Sequence, residues 1–296
     1  MGKADSMASG HILAALVMTG WGLTFIGTKI LLRSFSPTEI ILMRFILSYL
    51  TLWLVHPAIL RTGGIKEELP YIIAGTMGVT CYYLLENVAL TLTMASNVGI
   101  IIATSPFFTA ILAGIVYGKE ERADWHFYLG CMIAFAGIII ISVNGAELHM
   151  NPLGDLLTVG AAISWAFYGL AMKKIHLFCH DNILNSRRIF FWGLLTSAPI
   201  CLISGFHPDY HAIIQPLNLT ILLALGTGAG AICYVLWNMA SEILGPVRVN
   251  VYIYLDPVVA VLGSALILHE PVTAKAVAGI VLILGGLIYS ETHGSF

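Results

Sequence analysis

Charge is scarce in this chain. Only 10% of its 296 residues are Asp, Glu, Lys or Arg, against about 25% in soluble globular domains. A surface with so few ions does not stay dissolved, which excludes a soluble enzyme and a disordered protein. Lys plus Arg number 14 and Asp plus Glu 16, so there is no basic excess to attract a polyanion, and no nucleic-acid partner is expected. Cysteine is sparse too. Cys81, Cys131, Cys179, Cys201 and Cys233 make no CxxC pair and four lie in apolar runs; they read as small core residues, not as a disulfide framework or a zinc site. The histidine pairs His176/His180 and His207/His211 lie at or near loops without a third carboxylate ligand, so no metal is expected. HExxH, GxSxG and Walker motifs are missing, which excludes an ATP-driven pump for this chain alone and leaves no cofactor to expect.

What is abundant is apolar length. Hydrophobic residues make up 58% of the chain and the mean hydropathy is +0.88. Crossing a bilayer takes about 20 apolar residues as a helix, and barrel strands would alternate in short runs instead. Ten long runs occur, at 10–32, 37–59, 69–93, 95–118, 124–143, 153–173, 185–205, 217–241, 246–268 and 273–291. The expected fold is an all-α membrane protein of ten transmembrane helices. Arg61 and Lys66, Lys119 and Arg122, Lys173, Lys174, Arg187 and Arg188, and Arg248 fall on one side of this arrangement, while connections on the other hold only Lys29, Arg33 and Lys275. The richer side is assigned to the cytoplasm, with both termini there.

The chain also resembles itself. At an offset of 144, Gly10, Leu13, Trp21, Lys29 and Arg44 match Gly154, Leu157, Trp165, Lys173 and Arg188. At 151, Gly75, Tyr83, Asn87, Ala89 and Pro106 match Gly226, Tyr234, Asn238, Ala240 and Pro257. At 149, Glu121, Gly130 and Gly137 match Glu270, Gly279 and Gly286. Each half holds five spans. Five is odd, so the second half enters the membrane from the opposite side, giving two inverted five-helix repeats, a common architecture of secondary transporters. The boundaries read as a cytoplasmic segment 1–9, a first repeat 10–143, an external linker 144–152, a second repeat 153–291 and a cytoplasmic end 292–296.

Trp21-Gly22 with Lys29, Arg44, Pro106 and Glu121, repeated as Trp165, Lys173, Arg188, Pro257 and Glu270, resembles the drug/metabolite transporter superfamily and, within it, the EamA family of ten-helix carriers. The resemblance runs from about residue 10 to residue 290. It implies a bacterial inner-membrane carrier, usually an exporter of amino acids or other small metabolites. It also implies a cavity lined by helices 1, 3, 4, 6, 8 and 9, with helices 5 and 10 peripheral. His180-Asp181 departs from Ser36-Pro37 of the first copy and leaves the connection between helices 6 and 7 open.

Ionisable groups inside a span are costly unless they face protein or water. At 1.5 Å per residue, Arg44 lies roughly 10 Å deep and Glu86 roughly 8 Å from the same face, so the two are candidates for an ion pair. Asp256, ten residues into helix 9, lies roughly 15 Å deep and is the leading candidate for carrying a coupled proton, with Glu86 second. Glu86 has Trp237 as its counterpart in the second half, an asymmetry that suits an asymmetric ligand. Tyr83, Glu86 and Asn87 share a helix face, with Tyr82 beside them, and Tyr234, Trp237 and Asn238 form the matching face. Trp21, Trp165 and Tyr168 at mid-span, and Tyr252 near Asp256, complete the expected lining. The reading is a secondary carrier, exporter or exchanger, for a small metabolite such as an amino acid, a monomer or weak dimer in the bilayer. A passive channel or a drug or nucleobase carrier remains open, as does a membrane-embedded enzyme, against which no nucleophile–base or metal-ligand set recurs at one depth.

Overall fold

A computed structural model describes residues 3–93, 95–118, 122–142, 151–256, 258–259 and 273–293. Expectations on Lys119, Glu121, Pro257 and Glu270, and on the last part of the ninth span, lie outside the described residues. Those residues form helices throughout, in the order α1 (Lys3–Trp21), α2 (Thr24–Leu31), α3 (Pro37–Val55), α4 (Ile65–Gly75), α5 (Tyr82–Leu92), α6 (Ala95–Ile102), α7 (Ser105–Val116), α8 (Trp125–Ser142), α9 (Pro152–His176), α10 (Asn182–Ile203), α11 (Tyr210–Ile213), α12 (Pro216–Leu223), α13 (Cys233–Leu244), α14 (Pro246–Val251) and α15 (Ala274–His293). Two π-helical segments, Thr76–Cys81 and Ala224–Ile232, join α4 to α5 and α12 to α13, and a 3₁₀ turn, Tyr252–Tyr254, follows α14.

Met7–Leu31, Pro37–Val55, Val98–Val116, Pro152–His176 and Pro216–Leu244 are long and apolar enough to cross a membrane, and Trp125–Ile140 and Val277–Ser290 are shorter apolar helices. The α4–α5 run instead begins with a charged turn, Lys66-Glu67-Glu68, and α10 carries Arg187-Arg188 in its second turn. Large apolar side chains such as Ile115, Leu202, Ile203, Val281 and Ile288 are uncovered by protein, the surface that suits hydrocarbon and not water.

The two copies start their second helices by different capping chemistry. Ser36 Oγ accepts from the Glu39 backbone N–H at 3.3 Å and Glu39 returns the bond to the Ser36 N–H at 2.8 Å, a capping box ahead of Pro37. In the second copy Asp181 caps α10, accepting from the N–H groups of Ile183 and Leu184 at 2.8 and 3.3 Å. The departure at His180-Asp181 is therefore a change of cap with its function kept.

Equivalent residues meet across a pseudo-two-fold axis. A Cβ built on Gly130 would lie 2.8 Å from the Gly286 carbonyl oxygen, and one on Gly137 2.6 Å from that of Gly279. Because Gly130 matches Gly279 and Gly137 matches Gly286, α8 and α15 bury the same surface against each other, as an isologous interface does. The two π segments fall at matching positions, the first against α10 and the second against α3. Ser48 Oγ on α3 donates to the Gly226 carbonyl at 2.8 Å, and Thr80 Oγ1 donates to the Gly193 carbonyl on α10 at 2.9 Å. The second π segment thus receives a hydroxyl from α3 at an irregular stretch of helix, where the backbone ladder is disturbed, whereas the first lends its own hydroxyl to α10.

The face that carries the basic residues is laced together. Glu68 accepts from Arg188 Nε at 2.6 Å, from Thr62 Oγ1 at 2.6 Å and from Trp192 Nε1. Arg188 thus pairs with an acid just before the third apolar run. Arg187 donates to the carbonyls of His56 and Ala58, and Tyr71 OH donates to Asn185 Oδ1 at 2.7 Å. Burial alone would raise the Glu68 carboxyl, but the bonds from Arg188, Thr62 and Trp192 outweigh it and hold the group below its ordinary 4.5. A group depressed in the folded state stabilises above its unfolded value and loses that contribution as pH falls through the folded one. Glu68→Gln is therefore expected to lower the melting temperature in detergent at neutral pH, with the gap to wild type closing in acid below about pH 4. A gap that stays constant with pH would contradict it.

Candidate functional site

The pseudo-axis passes through aromatic rings. Trp21 and its equivalent Trp165 touch edge to face, ring centres 5.5 Å apart. Tyr83 and its equivalent Tyr234 bring their hydroxyls to 3.5 Å. Only residues close to a two-fold axis can touch their own equivalents, so these pairs mark the centre of the molecule. There a hollow of about 30 Å³ is lined by Met18, Trp21 and Thr24 of the first span, Tyr82, Tyr83 and Glu86 of α5, Ile102 of α6, Trp165 of α9, and Ile253 and Asp256 after α14. It is room for a water or two.

The walls are held by hydrogen bonds. The break between α1 and α2 follows Trp21, whose Nε1 donates to the Ala229 carbonyl in the second π segment at 2.9 Å. Trp165 Nε1 donates to Asn250 Oδ1 at 2.9 Å, and Asn250 Nδ2 donates to Thr109 Oγ1 at 2.6 Å. Asn250 and Thr109 were not among the expected site residues; a buried asparagine beside a mid-span tryptophan was the available signal, since indole N–H groups seek partners when buried. Tyr168 stacks on Trp165 at 4.8 Å and donates to Asn238 Oδ1 at 2.5 Å, while Asn238 Nδ2 donates to Ser186 Oγ at 2.9 Å. Tyr234 OH donates to the Gly78 carbonyl in the first π segment at 3.0 Å. Trp237 lies 5.2 Å from Trp21 and 6.0 Å from Trp165.

The expected residues therefore sort into layers. Trp21, Tyr82, Tyr83, Glu86, Trp165 and Asp256 reach the hollow. Trp237 backs the tryptophan pair, and Tyr168, Tyr234 and Asn238 form the scaffold behind it. Asn87 turns away and donates to the Pro37 carbonyl at 3.2 Å, tying α5 to the start of α3. Tyr252 pairs instead with His11 Nδ1 at 2.5 Å, because the 3₁₀ turn it opens rotates it away from the face that Asp256 shows to the cavity.

Arg44 makes no ion pair within 4 Å among the described residues. Its guanidinium lies 4.4 Å from the centre of the Tyr83 ring. The side chain is only 2% exposed, so it does not reach outward to an interface, and its Nε and Nη2 have no hydrogen-bond acceptor. The expected contact with Glu86 is replaced by a cation–π contact with a ring of the same wall. Asp256 Oδ1 is likewise buried without a hydrogen-bond partner. An unpaired buried oxygen is costly, and here it sits on the wall of the central hollow.

Spans 1, 3, 4, 6 and 9 line the hollow, as the resemblance implies, and the pair α8–α15 does not; the eighth span, implied as lining too, gives it no residue. The EamA-like transporter family matches residues 8–143 and again residues 152–291. The chain belongs to the EamA-like transporter family. It is 30% identical over 281 residues to an "Uncharacterized transporter" of Archaeoglobus fulgidus, covering 93% of this chain and 95% of that one. It is 27% identical over 291 residues to a protein of Escherichia coli named "Probable amino-acid metabolite efflux pump", covering 93% and 92%. A crystal structure at 18% identity superposes with a TM-score of 0.73 over 98% of this chain and 97% of that one, a likeness of fold. The chain is a multi-pass membrane protein of a transporter family.

Proposed function

We propose that this protein is a secondary transporter, an exporter or exchanger, that moves a small metabolite such as an amino acid across a bacterial inner membrane by alternating access, with both termini and the basic face cytoplasmic. The observation that carries the reading is the hollow on the pseudo-axis, walled by Trp21, Trp165, Tyr82 and Tyr83 and holding Glu86 and Asp256. Two repeats of opposite orientation around such a site can exchange shapes, and the exchange moves the site from one face to the other. The aromatic walls suit an apolar side chain and the acids suit an ammonium group. The relatives named as amino-acid metabolite efflux pumps support the same substrate class.

The hollow, at about 30 Å³, is far below the roughly 300 Å³ that ligand pockets start at. The described shape therefore has no room for a substrate at its centre, and one enters only when the repeats part. The test is counterflow in proteoliposomes: the purified protein, loaded with unlabelled amino acids, is expected to accumulate labelled amino acid transiently against its gradient. A steady current in planar bilayers that does not saturate, without counterflow, would instead establish a channel. Trp165→Ala is expected to weaken amino-acid stabilisation of the folded protein in thermal melts by at least about tenfold in ligand concentration, since it removes a stacking wall worth ~1.4 kcal/mol or more.

A further inference from the structure

Arg44 and Arg188 are equivalent residues, and the structure treats them differently. Arg188 is neutralised: its Nε donates to Glu68 at 2.6 Å. At the offset of 151 that relates this part of the two copies, the equivalent of Glu68 is Leu219. The second repeat therefore has no acid to offer Arg44. Its guanidinium is buried, makes no ion pair among the described residues, and leaves Nε and Nη2 without an acceptor. A buried charge is costly unless it is paired and hydrogen-bonded. The Tyr83 ring, 4.4 Å away, offsets part of that cost, but an aromatic face accepts no directed pair of hydrogen bonds.

The two unpartnered nitrogens are not a random pair. Nε and Nη2 share one edge of the guanidinium, where two parallel N–H bonds match the two oxygens of a carboxylate. The ring beneath them belongs to the wall of the central hollow, and Glu86 and Asp256 line that same hollow. Arg44 lies close enough to Glu86 for its charge to act there. One turn along the same face of α5, Asn87 Oδ1 is also buried without a partner. Tyr83 is the lightest tether in this wall. Its hydroxyl meets that of Tyr234 at 3.5 Å, whereas Trp21 and Trp165 are each fixed by a bond of 2.9 Å. A turn of the Tyr83 ring would bring the free edge of Arg44 to the hollow.

We infer that Arg44 is the carboxylate anchor of the central site. When the repeats part, its Nε–Nη2 edge takes the carboxylate of an amino acid while Glu86 takes the ammonium group, so the site selects substrates that carry both charges. The inference deepens the transporter reading above and rests on it for the opening that admits the substrate. A cation on one side of Tyr83 and acids on the other form a receptor for a zwitterion, which brings no net charge into the membrane. A simple amine would leave Arg44 unpaired and add a second positive charge beside it.

The test uses three ligands of one shape: L-leucine, isoamylamine, which lacks only the carboxylate, and 4-methylpentanoate, which lacks only the ammonium group. Each is titrated into the purified full chain in detergent, and binding is read from the rise in melting temperature with concentration. In the wild type, leucine is expected to bind at least about tenfold more tightly than either analogue, the effect of losing charge-assisted hydrogen bonds. In Arg44→Gln, leucine is expected to weaken by at least about tenfold, while isoamylamine binds as well as before or more tightly, since a repelling charge is gone. Arg44→Lys keeps the charge without the two-pronged edge and is expected to fall between. The retained amine binding shows that the glutamine variant is folded. Failure of leucine to stabilise the wild type, equal binding of leucine and isoamylamine, or an undiminished preference for leucine in Arg44→Gln would overturn the assignment. Loss of all three ligands together with a lower melting temperature would do the same and leave Arg44 a structural role. A protein that shows counterflow but binds leucine and isoamylamine alike loses the anchor and keeps its transport reading. One that prefers leucine through Arg44 but shows no counterflow keeps the binding site and loses transport.

Discussion

Asp256→Asn is expected to abolish uptake driven by a pH gradient while leaving counterflow in place. The two carboxylates of the central hollow, Glu86 and Asp256, line a space of about 30 Å³. One proton gained or lost there changes the net charge of a volume that holds a water or two, walled by four aromatic rings. Such a change alters the free energy of any shape that encloses it. Counterflow exchanges one loaded state for another and needs no net proton movement, whereas gradient-driven uptake needs the empty carrier to return with its charge changed. Asparagine keeps the size of the aspartate and its hydrogen-bonding ability but cannot gain or lose the proton. We expect gradient-driven uptake to fall at least about tenfold, the effect of a coupling of ~1.4 kcal/mol on an equilibrium, with counterflow within about threefold of wild type. Glu86→Gln is expected to act more on substrate affinity, since Glu86 stands beside Tyr82 and Tyr83 on the aromatic wall. A pH dependence of transport unchanged in Asp256→Asn would remove the aspartate from proton coupling.

The residues that reach the hollow were legible because rare types stood out against an apolar background. A carboxylate ten residues into a span is costly unless it faces protein or water, and a mid-span tryptophan repeated at an offset of 144 is rare enough to mark equivalent positions. The five-plus-five repeat was legible for the same reason. Irregular helix was not. The π segments Thr76–Cys81 and Ala224–Ile232 and the 3₁₀ turn at Tyr252–Tyr254 change the angular phase of every residue after them. Tyr252, expected near Asp256 in the lining, is turned to His11 in the structure. Depth along the axis told that Arg44 and Glu86 lie at similar levels, but not which side each helix presents, and the guanidinium went to the Tyr83 ring.

Gly75→Val is expected to be strongly damaging at the helix contacts, and Gly228→Ala in the equivalent region to leave the fold intact. A Cβ on Gly75 would lie 2.6 Å from the Ile189 carbonyl oxygen and 2.7 Å from the Gly193 nitrogen. Both are backbone atoms of α10, so no rotamer change relieves the clash and the helices themselves must part. Overpacking of this kind costs typically 1–3 kcal/mol and at times more. Parting α10 from the α4 end would also strain the Thr80 bond to Gly193 and the Glu68–Arg188 pair that tie the same helices. Gly228 has nothing within 4 Å of its would-be Cβ, so alanine there meets no clash and gains ~0.5–1 kcal/mol from the smaller entropy of its unfolded chain. Gly226 and Gly230, its neighbours in the series, would meet Leu47 and Ser48 instead. Gly75 just before the first π segment, Gly78 within it, and Gly226 and Gly230 in the second therefore serve close approach, and Gly228 provides the test of whether bending matters as well. If Gly228→Ala melts at or above wild type yet transports at least about tenfold more slowly, the segment works by flexing, as an element that changes shape in the cycle does. If both properties are unchanged, its glycines are there for packing alone.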